Sequence, residues 1–319
     1  MLFRASLALY ALLTLALLAL VVIARAAPPL PPVIYGRDGG LYTLSLTCDG
    51  LLTACGSRDR LLLEGMHSIY PVTSWSPDGS TIAARLADTR WALYDARCLL
   101  ADGDCPPDYL PGDTPDLRLA WGPDGSVAAY ILSNNLIVQT RGCWHMTGGC
   151  MTWEVPLYAI GQPGWSANGR WLVFVKMPDL YRMDINCLSS VPTVETYDNA
   201  CGRTLRLLPT PPGIEFWPNV SADGERVVYF DQTRYGEGTN IYLLDVQTGE
   251  TRRLTHRRGD AALPAWSQDE RYIVYTAQVD NDLDLELLDL ARGASVRLTR
   301  TPGRDMYPSW GVPESELGE

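Results

Sequence analysis

Short apolar segments separated by polar turns recur along the chain. The segments "SWSPDGSTIAA" from Ser74, "AWGPDGSVAAY" from Ala120 and "GWSANGRWLVF" from Gly164 share an aromatic residue, a polar turn and an apolar run. The pattern returns in "NVSADGERVVY" from Asn219 and "AWSQDERYIVY" from Ala265. Proline and glycine at these spacings favour a type I turn, and the β-branched and aromatic residues after it favour a strand. Each copy therefore predicts two strands joined by a tight turn.

One position of this pattern sets the length of the repeating unit. The spacings between successive copies are 46, 44, 55, 46 and 44 residues, counted between the anchors Trp75, Trp121, Trp165, Val220, Trp266 and Trp310. A third strand such as "NIYLLD" and a fourth such as "TRRLT" follow in each unit. Units of this length with four short strands predict blades of a β-propeller. Helical repeats are disfavoured, because glycine and proline occur too often for any segment to keep the apolar periodicity of a helix.

The two ends of the repeat complement each other. The last anchor, Trp310, is followed by too few residues for a complete blade, whereas "VIYGRDGGLYTLSL" and "RLLLEG" supply strands that lack an inner strand. Joining them would close the ring and remove its open edge. The predicted fold is all-β: a six-bladed β-propeller of four-stranded antiparallel blades over residues 33–311, closed by pairing of the N- and C-terminal strands. A proline-rich spacer (28–32) and a flexible tail (312–319) are expected to flank it.

The first residues predict export from the cytoplasm. Arg4 precedes an uncharged apolar run from Ala5 to Ala24, and Ala24 and Ala26 form an Ala-x-Ala pattern with cleavage expected after Ala26. The run is also long enough to cross a bilayer, so an uncleaved anchor stays open as an alternative. Residues 1–27 are thus a signal peptide or an N-terminal membrane anchor. In either case the propeller is secreted, periplasmic or held at the membrane, and it meets the membrane only through this segment.

The cysteines form four pairs of near neighbours. They predict the disulfides Cys48–Cys55, Cys98–Cys105, Cys143–Cys150 and Cys187–Cys201. An even number of paired cysteines in an oxidising compartment indicates disulfides. Zinc is disfavoured because only His145 lies near a pair and because the pairs fall in different blades. Each pair is expected at the turn between the third and fourth strands of its blade.

Composition and charge exclude several functions. The 319-residue chain carries a formal net charge of −11, which opposes nucleic-acid binding. The run "DNDLDLELLD" (Asp280, Asp282, Asp284, Glu286) offers alternate carboxylates but lacks the glycine of an EF-hand loop, so solvated strand ends are preferred to calcium. The basic segment "TRRLTHRRGD" (251–260) either docks an acidic partner or is an exposed outer strand with its loop. No cofactor is predicted.

The repeat resembles a known family. Segments such as Pro71–Gly79, Ile241–Thr255 and Pro264–Asp269 resemble the TolB-type propeller of bacterial cell envelopes, whose repeat also occurs in propellers of the prolyl oligopeptidase and dipeptidyl-peptidase families. The chain carries neither the small α/β domain of TolB nor the G-x-S-x-G nucleophile motif of those peptidases. The resemblance implies the fold across nearly all of the exported chain. It leaves the function open, because this repeat hosts many roles.

The candidate binding residues lie in loops of the predicted ring. Aromatic side chains beside arginine and aspartate are typical of recognition surfaces, and the candidates are Tyr70, Arg90, Phe216, Trp217, Asp231, Arg234, Asp305 and Tyr307. Alternatively, Tyr70, Trp217 and Tyr307 pack between adjacent blades, since each precedes the proline of a first strand. The predicted function is non-enzymatic binding of an envelope or extracellular protein. Glycan or small-molecule binding in the central funnel, or an unrecognised hydrolase or lyase, are the alternatives.

Overall fold

A computed structural model of the protein describes most of the chain from Leu30 to Val312. The described residues are 30–48, 55–67, 69, 71–101, 103–110, 119–143, 151–155, 160–190, 201–232, 238–257 and 259–312. They form six four-stranded antiparallel sheets, which confirms the predicted six-bladed propeller. No helix within these ranges is long and apolar enough to cross a membrane. The predicted export segment lies outside the described residues.

The sheets follow one another along the chain as blades I to VI. Blade I contains β1 (Leu30–Arg37), β2 (Gly40–Cys48) and β3 (Cys55–Glu64), and blade II contains β4 (Thr73–Trp75), β5 (Thr81–Arg85), β6 (Trp91–Asp95) and β7 (Asp108–Tyr109). Blade III contains β8 (Ala120–Trp121), β9 (Val127–Leu132), β10 (Asn135–Thr140) and β11 (Thr152–Val155). Blade IV contains β12 (Ile160–Trp165), β13 (Trp171–Lys176), β14 (Asp179–Asp184) and β15 (Arg206–Leu207).

The last two blades have the same order. Blade V contains β16 (Glu215–Val220), β17 (Arg226–Gln232), β18 (Thr239–Asp245) and β19 (Thr251–Arg253). Blade VI contains β20 (Ala261–Trp266), β21 (Tyr272–Val279), β22 (Asp282–Asp289) and β23 (Ala294–Arg297), and β24 (Asp305–Trp310) returns to blade I. The short helix α1 (Ala96–Leu100) and the 3-10 turns Arg141–Cys143, Ile185–Ser190 and Gly202–Thr204 lie between third and fourth strands.

The antiparallel order gives the ring two different faces. Connections from the fourth strand of one blade to the first strand of the next, and from second to third strands, lie on one side, which we call the loop face. Turns between first and second strands, and between third and fourth strands, lie on the other side, which we call the turn face. Each first strand therefore runs from the loop face to the turn face.

The turns that follow the first strands repeat one hydrogen-bonded design. In blade II the hydroxyl of Ser76 donates to Oδ1 of Asp78 at 2.6 Å and accepts from the backbone N–H of Thr81 at 2.9 Å. Blades IV, V and VI repeat both bonds at the equivalent serines. Gly79 has a φ of 74°, a left-handed conformation that favours glycine. The recurrent sequence motif thus encodes a turn whose polar groups are satisfied locally.

The disulfides lie at the connections predicted for them. Cys48–Cys55, Cys98–Cys105 and Cys187–Cys201 join the third and fourth strands of blades I, II and IV, with Cα–Cα distances of 4.1, 5.8 and 5.0 Å. Cys143 of blade III is also disulfide-bonded. Its predicted partner Cys150 lies outside the described residues. Disulfides that each close a loop within one blade fit an oxidising, extracytoplasmic compartment.

Strands from the two ends of the described chain close the ring. β24 is the innermost strand of blade I and pairs with β1, with Val33 opposite Trp310 and Ile34 opposite Ser309. β2 and β3 complete the sheet, as the sequence predicted. β1 begins at Leu30, within the segment predicted as the spacer. No inner edge of blade I is left unpaired, because the strand that covers it comes from the other end of the fold.

A buried ion pair joins these closing strands. Arg37 of β1 and Asp305 of β24 are partners in the strand register. Nε of Arg37 donates to Oδ1 of Asp305 at 2.5 Å, and Nη2 donates to Oδ2 at 3.2 Å. Asp305 is fully buried and Arg37 is 7% exposed. The guanidinium also donates to Asp59 of β3 at 2.7 Å and to the hydroxyl of Tyr35 at 2.8 Å, so one side chain ties three strands together.

Breaking this pair is expected to weaken the whole ring. Asp305→Ala should lower the free energy of unfolding by about 3–5 kcal/mol, because a buried guanidinium loses its partner. Asp88→Ala is the matched control, since it also removes the carboxylate partner of an arginine, but the Arg90–Asp88 pair is about half exposed. Its expected loss is much smaller, because exposed ion pairs contribute little to stability. Denaturant unfolding of both variants measures the difference, and equal small losses would show that the pair does not hold the closure.

Candidate functional site

Three first strands carry the same β-bulge near the loop face. In β16, β20 and β24, two residues lie opposite one residue of the neighbouring strand. The first of the two is Trp217, Leu263 or Tyr307, with φ of 57°, 56° and 58°, and a proline follows each of them. A left-handed conformation in a residue other than glycine costs about 1–3 kcal/mol. The bulge re-aims these side chains, and their burial offsets that cost.

The re-aimed side chains fill the axis of the ring. Trp217, Leu263 and Tyr307 are 7%, 6% and 4% exposed, and the ring centroids of Trp217 and Tyr307 are 5.4 Å apart. They share one hydrophobic cluster with Val72 of blade II and Trp121 of blade III. Val72 occupies the same position of the repeat, three residues before its anchor. We call Val72, Trp217, Leu263 and Tyr307 the axial plug, which closes the axis on the side of the loop face.

The burial of the plug bears on the two interpretations of the aromatic candidates, which were a binding surface or packing between adjacent blades. Trp217 and Tyr307 pack in the core, across the axis as well as between blades, and their side chains do not form an exposed surface. Phe216 is half-buried and stacks on Phe230 with 5.5 Å between ring centroids. Tyr70 lies outside the described residues. A direct binding role for Trp217 and Tyr307 would require their removal from the core.

The charged candidates fall in three different environments. Asp305 is buried in the ring closure, where Arg37 binds it, so it does not face a partner. Asp231 is 8% exposed and accepts a hydrogen bond from the backbone N–H of Ile214 at 3.1 Å. Arg90 is 52% exposed on the loop face, and its guanidinium lies 4.2 Å from the ring centroid of Tyr109. Arg234 lies outside the described residues. Of the charged candidates that are described, Arg90 is the accessible one.

A cavity occupies the axis on the other side of the plug. Its volume is about 190 Å³, and the first strands of all six blades contribute to it. The walls consist of Ser74, Trp75, Leu119, Ala120, Trp121, Pro163, Gly164, Trp165, Asn219, Ala265, Trp266, Ser309 and Trp310. Ser76, Pro77 and Gln268 belong to the turns, and Gln162 lines the cavity at the level of the plug. We call this space the axial pocket, and its mouth lies on the turn face.

The repeat anchors give the axial pocket its aromatic wall. Four of its indole N–H groups are already bonded to backbone carbonyls at 3.1–3.2 Å, namely those of Trp75, Trp165, Trp266 and Trp310. These indoles therefore offer apolar surface to the pocket and no spare donor. None of the described residues that line it is charged. The pocket combines aromatic walls with a few neutral hydroxyl and amide groups.

Gln162 is a polar residue at the level of the plug. It stands three residues before the anchor Trp165, where four other blades carry valine, leucine or an aromatic residue and blade III carries Arg118, which lies outside the described residues. The side chain of Gln162 is 3% exposed, and its Oε1 accepts no hydrogen bond from the described residues. A buried amide oxygen without a donor costs about 1–3 kcal/mol. This oxygen is therefore an unsatisfied acceptor at the inner end of the axial pocket.

A buried carboxyl pair lies on the loop-face side of blade V. Glu215 of β16 and Asp231 of β17 are register partners and are 1% and 8% exposed. Burial, together with the nearby charges of Asp231 and Asp179, raises the pKa of Glu215 to about 7. Burial also raises the pKa of Asp231. Among the described residues no group of three or more His, Cys, Asp or Glu side chains could hold a metal ion.

The acidic run and the basic segment meet each other in the structure. Asp284 is fully buried and binds Arg297 at 2.6 Å, so it is not a solvated strand end as the sequence suggested. Glu286 binds Arg257 of the basic segment at 2.7 Å. Part of the basic charge is therefore neutralised within the protein. Arg258 lies outside the described residues.

Sequence reasoning missed the axial pocket. The anchors were recognised as a repeat signal, but the residues beside them, such as Ser74, Asn219 and Ser309, carried no motif. The available signal was the position three residues before each anchor, which is apolar in four blades, arginine (Arg118) in blade III and glutamine in blade IV. Polar residues at a repeat position that is mostly apolar indicate a polar site near the axis.

Solved structures show the same architecture. TolB from Acinetobacter baumannii superimposes with a TM-score of 0.64 at 17% identity, over 88% of this chain and 66% of that chain. A protein assigned as TolB from Agrobacterium tumefaciens gives a TM-score of 0.55 at 16% identity, over 89% of this chain and 94% of that chain. This chain has the fold of the TolB propeller. It spans about two thirds of the length of the Acinetobacter TolB.

A further solved structure has the same architecture. A chain of the nidogen–laminin complex superimposes on this TolB-type propeller with a TM-score of 0.61 at 10% identity, over 88% of this chain and 98% of that chain. The sequence matches no protein-family model and no curated protein. At these identities the likeness to solved structures concerns the fold.

Truncating the plug tests its structural role. Trp217→Ala should lower the free energy of unfolding by about 3–5 kcal/mol, as removal of a buried aromatic side chain does. Tyr109→Ala is the control, because Tyr109 is a 38% exposed aromatic residue beside the loop face. Its expected loss is about 1 kcal/mol or less. A Trp217→Ala variant that unfolds at the same denaturant concentration as the wild type would contradict the plug.

The raised pKa of Glu215 predicts a pH-dependent stability. Between pH values of about 4.3, the pKa of glutamate in the unfolded chain, and about 7, its pKa in the folded protein, Glu215 is mostly protonated in the folded state and mostly ionised in the unfolded state. The free energy of unfolding therefore falls as the pH rises through this range. Glu215→Gln removes the titration. The free energy of unfolding of the variant relative to the wild type should therefore increase from pH 4.5 to pH 7, by up to about 1.4 kcal/mol per pH unit.

The exposed Glu64 supplies the control for this measurement. Glu64→Gln removes the same charge from the solvent-exposed end of β3. Chemical denaturation at a series of pH values then compares the two variants with the wild type. The same pH dependence in both variants would mean that burial of Glu215 is not its cause.

Proposed function

We propose that this protein is a non-enzymatic, extracytoplasmic binding module that recognises another protein through its loop face. The observation that carries the proposal is the axial plug. Trp217, Leu263 and Tyr307 fill the axis beneath the loop face, so the residues that the structure describes leave a broad surface, and no funnel, at the centre of this side. A broad surface suits another protein better than a small molecule.

Exposed side chains of the loop face support this proposal. Ile69, in the connection to blade II, is 52% exposed, and Met177, between β13 and β14, is 49% exposed. Arg90 stacks on Tyr109 on the same face. Arginine, tyrosine and methionine are enriched in protein interfaces. We propose Arg90 as the first anchor to test, together with Arg234 from the sequence prediction.

The comparisons and the cysteines are in keeping with this role. The nidogen–laminin structure is a protein–protein complex whose matched chain shares this fold. Three disulfides within single blades favour an oxidising compartment. The predicted export segment (1–27) would deliver the propeller there, as a secreted, periplasmic or membrane-anchored protein.

Site-specific photo-crosslinking in the native host tests which face binds. A photoreactive residue is placed at Ile69 or Met177 on the loop face, and at Asp124 or Glu250 on the turn face. All four positions lie in connections between strands. We expect the loop-face positions to crosslink one recurrent protein, identified by mass spectrometry. Crosslinks to that protein from the turn face alone would overturn the assignment.

Affinity for the crosslinked protein is then measured with two arginine variants. Arg90→Ala should weaken binding tenfold or more, about 1.4 kcal/mol, if Arg90 anchors the interface. Arg271→Ala is the matched control, because Arg271 also lies over a tyrosine ring, that of Tyr272 at 5.3 Å, but belongs to the turn face. Equal affinities of both variants and the wild type would remove Arg90 from the interface.

A further inference from the structure

We propose that the axial pocket binds a single neutral, hydroxyl-bearing ring, such as one saccharide unit or a cyclitol. The proposal does not depend on the protein-binding role of the loop face, because the mouth of the pocket lies on the turn face. Its residues come from all six blades, and the plug closes its inner end. The site is therefore part of the rigid centre of the fold.

The volume limits the ligand to one ring. The cavity volume of about 190 Å³ is smaller than the roughly 300–1,000 Å³ of pockets for drug-sized ligands. An extended oligosaccharide or a peptide does not fit inside. A terminal ring of a larger molecule fits only if the remainder leaves through the mouth, beside Pro77 and Gln268.

The charge of the lining selects a neutral ligand. No Asp, Glu, Lys, Arg or His is among the described residues that line the pocket. An ion transferred into such a site would lose its hydration without gaining a partner of opposite charge, which is strongly unfavourable. Phosphorylated, amino and carboxylated ligands are therefore disfavoured.

The aromatic wall favours a ligand with apolar faces. The indole N–H groups of Trp75, Trp165 and Trp266 donate to backbone carbonyls, so these side chains present carbon atoms to the pocket. A saccharide or cyclitol ring has C–H faces that pack on such surfaces and hydroxyl groups at its edge. A ligand of this class matches both the aromatic and the polar parts of the lining.

The polar groups of the lining require a ligand that both donates and accepts. Oε1 of Gln162 needs a donor. Ser74 donates its hydroxyl proton to the carbonyl of Leu119 at 3.1 Å, which leaves its oxygen as an acceptor. Ser309 accepts from the backbone N–H of Trp75 at 3.1 Å, which leaves its proton to donate. Hydroxyl groups satisfy donors and acceptors alike, because each one is both.

The test measures binding of defined neutral rings to the full propeller. Glucose, galactose, mannose and myo-inositol are titrated by calorimetry and by the shift in melting temperature. We expect at least one of them to bind, and we expect glucuronate and glucosamine to bind at least tenfold more weakly than the matching neutral sugars. Methyl glycosides and oligosaccharides ending in the same ring distinguish a free sugar from the end of a glycan.

Gln162→Leu is the diagnostic variant. It removes the unsatisfied acceptor at nearly constant shape, so the unliganded variant should melt at the same temperature as the wild type or higher, while ligand affinity falls tenfold or more. Ser309→Ala, tested in parallel, should weaken binding in the same direction if Gln162→Leu folds poorly. Gln232→Leu, at an exposed position of β17, is the matched control and should leave binding unchanged.

Several results would overturn the proposal. One is that none of the neutral rings binds. Others are that glucuronate binds as well as glucose, or that Gln162→Leu and Ser309→Ala fold normally and bind like the wild type. A pocket that holds ordered water against Gln162 and excludes every ring tested would also refute it.

Discussion

The whole ring depends on the pairing of β24 with β1. A propeller blade contacts only its neighbours, so an open ring would expose the inner edge of blade I and unpack the axis. The bidentate contact between Arg37 and Asp305 fixes the register of this pairing. Both side chains are buried, and Asp59 and Tyr35 accept two further hydrogen bonds from the guanidinium. The ring is thus closed by a buried ion pair between two strands whose other buried side chains are mostly apolar. This pairing aligns the first strands that line the axis.

The axis contains both a plug and a pocket because the repeat position three residues before the anchor carries different side chains in different blades. In blades V, VI and I a bulge turns a large side chain inward, and these side chains pack with Val72 to fill the loop-face end. In blade IV the same position carries Gln162, which faces the space that remains. Because the plug and the pocket exclude each other along one axis, the two faces of the ring acquire different chemistry: a broad exposed surface on one side and, on the other, a small cavity whose described lining is uncharged.

Buried charge elsewhere in the ring is paired between strands. Asp284 binds Arg297 within blade VI, and Glu286 binds Arg257 from the connection between blades V and VI. Glu215 differs, because its neighbours Asp231 and Asp179 are acidic and burial favours its protonated form. This contrast explains why acidic residues that look alike in sequence have different roles. Their environment is set by the side chains that neighbouring strands and connections place beside them.

The sequence by itself determined the blade number, the shared closing blade, the third-to-fourth strand positions of the disulfides and the turn after each anchor. These features are local: turn chemistry, strand periodicity and cysteine spacing act within one repeat. Only the tertiary structure decided that Trp217 and Tyr307 form a plug, that Asp305 binds Arg37 and that Gln162 faces a cavity. The proline that follows each bulge residue does not by itself indicate where the side chain points, and contacts across the axis join residues far apart in the chain. Local patterns therefore predicted the blades, whereas packing between blades created the site.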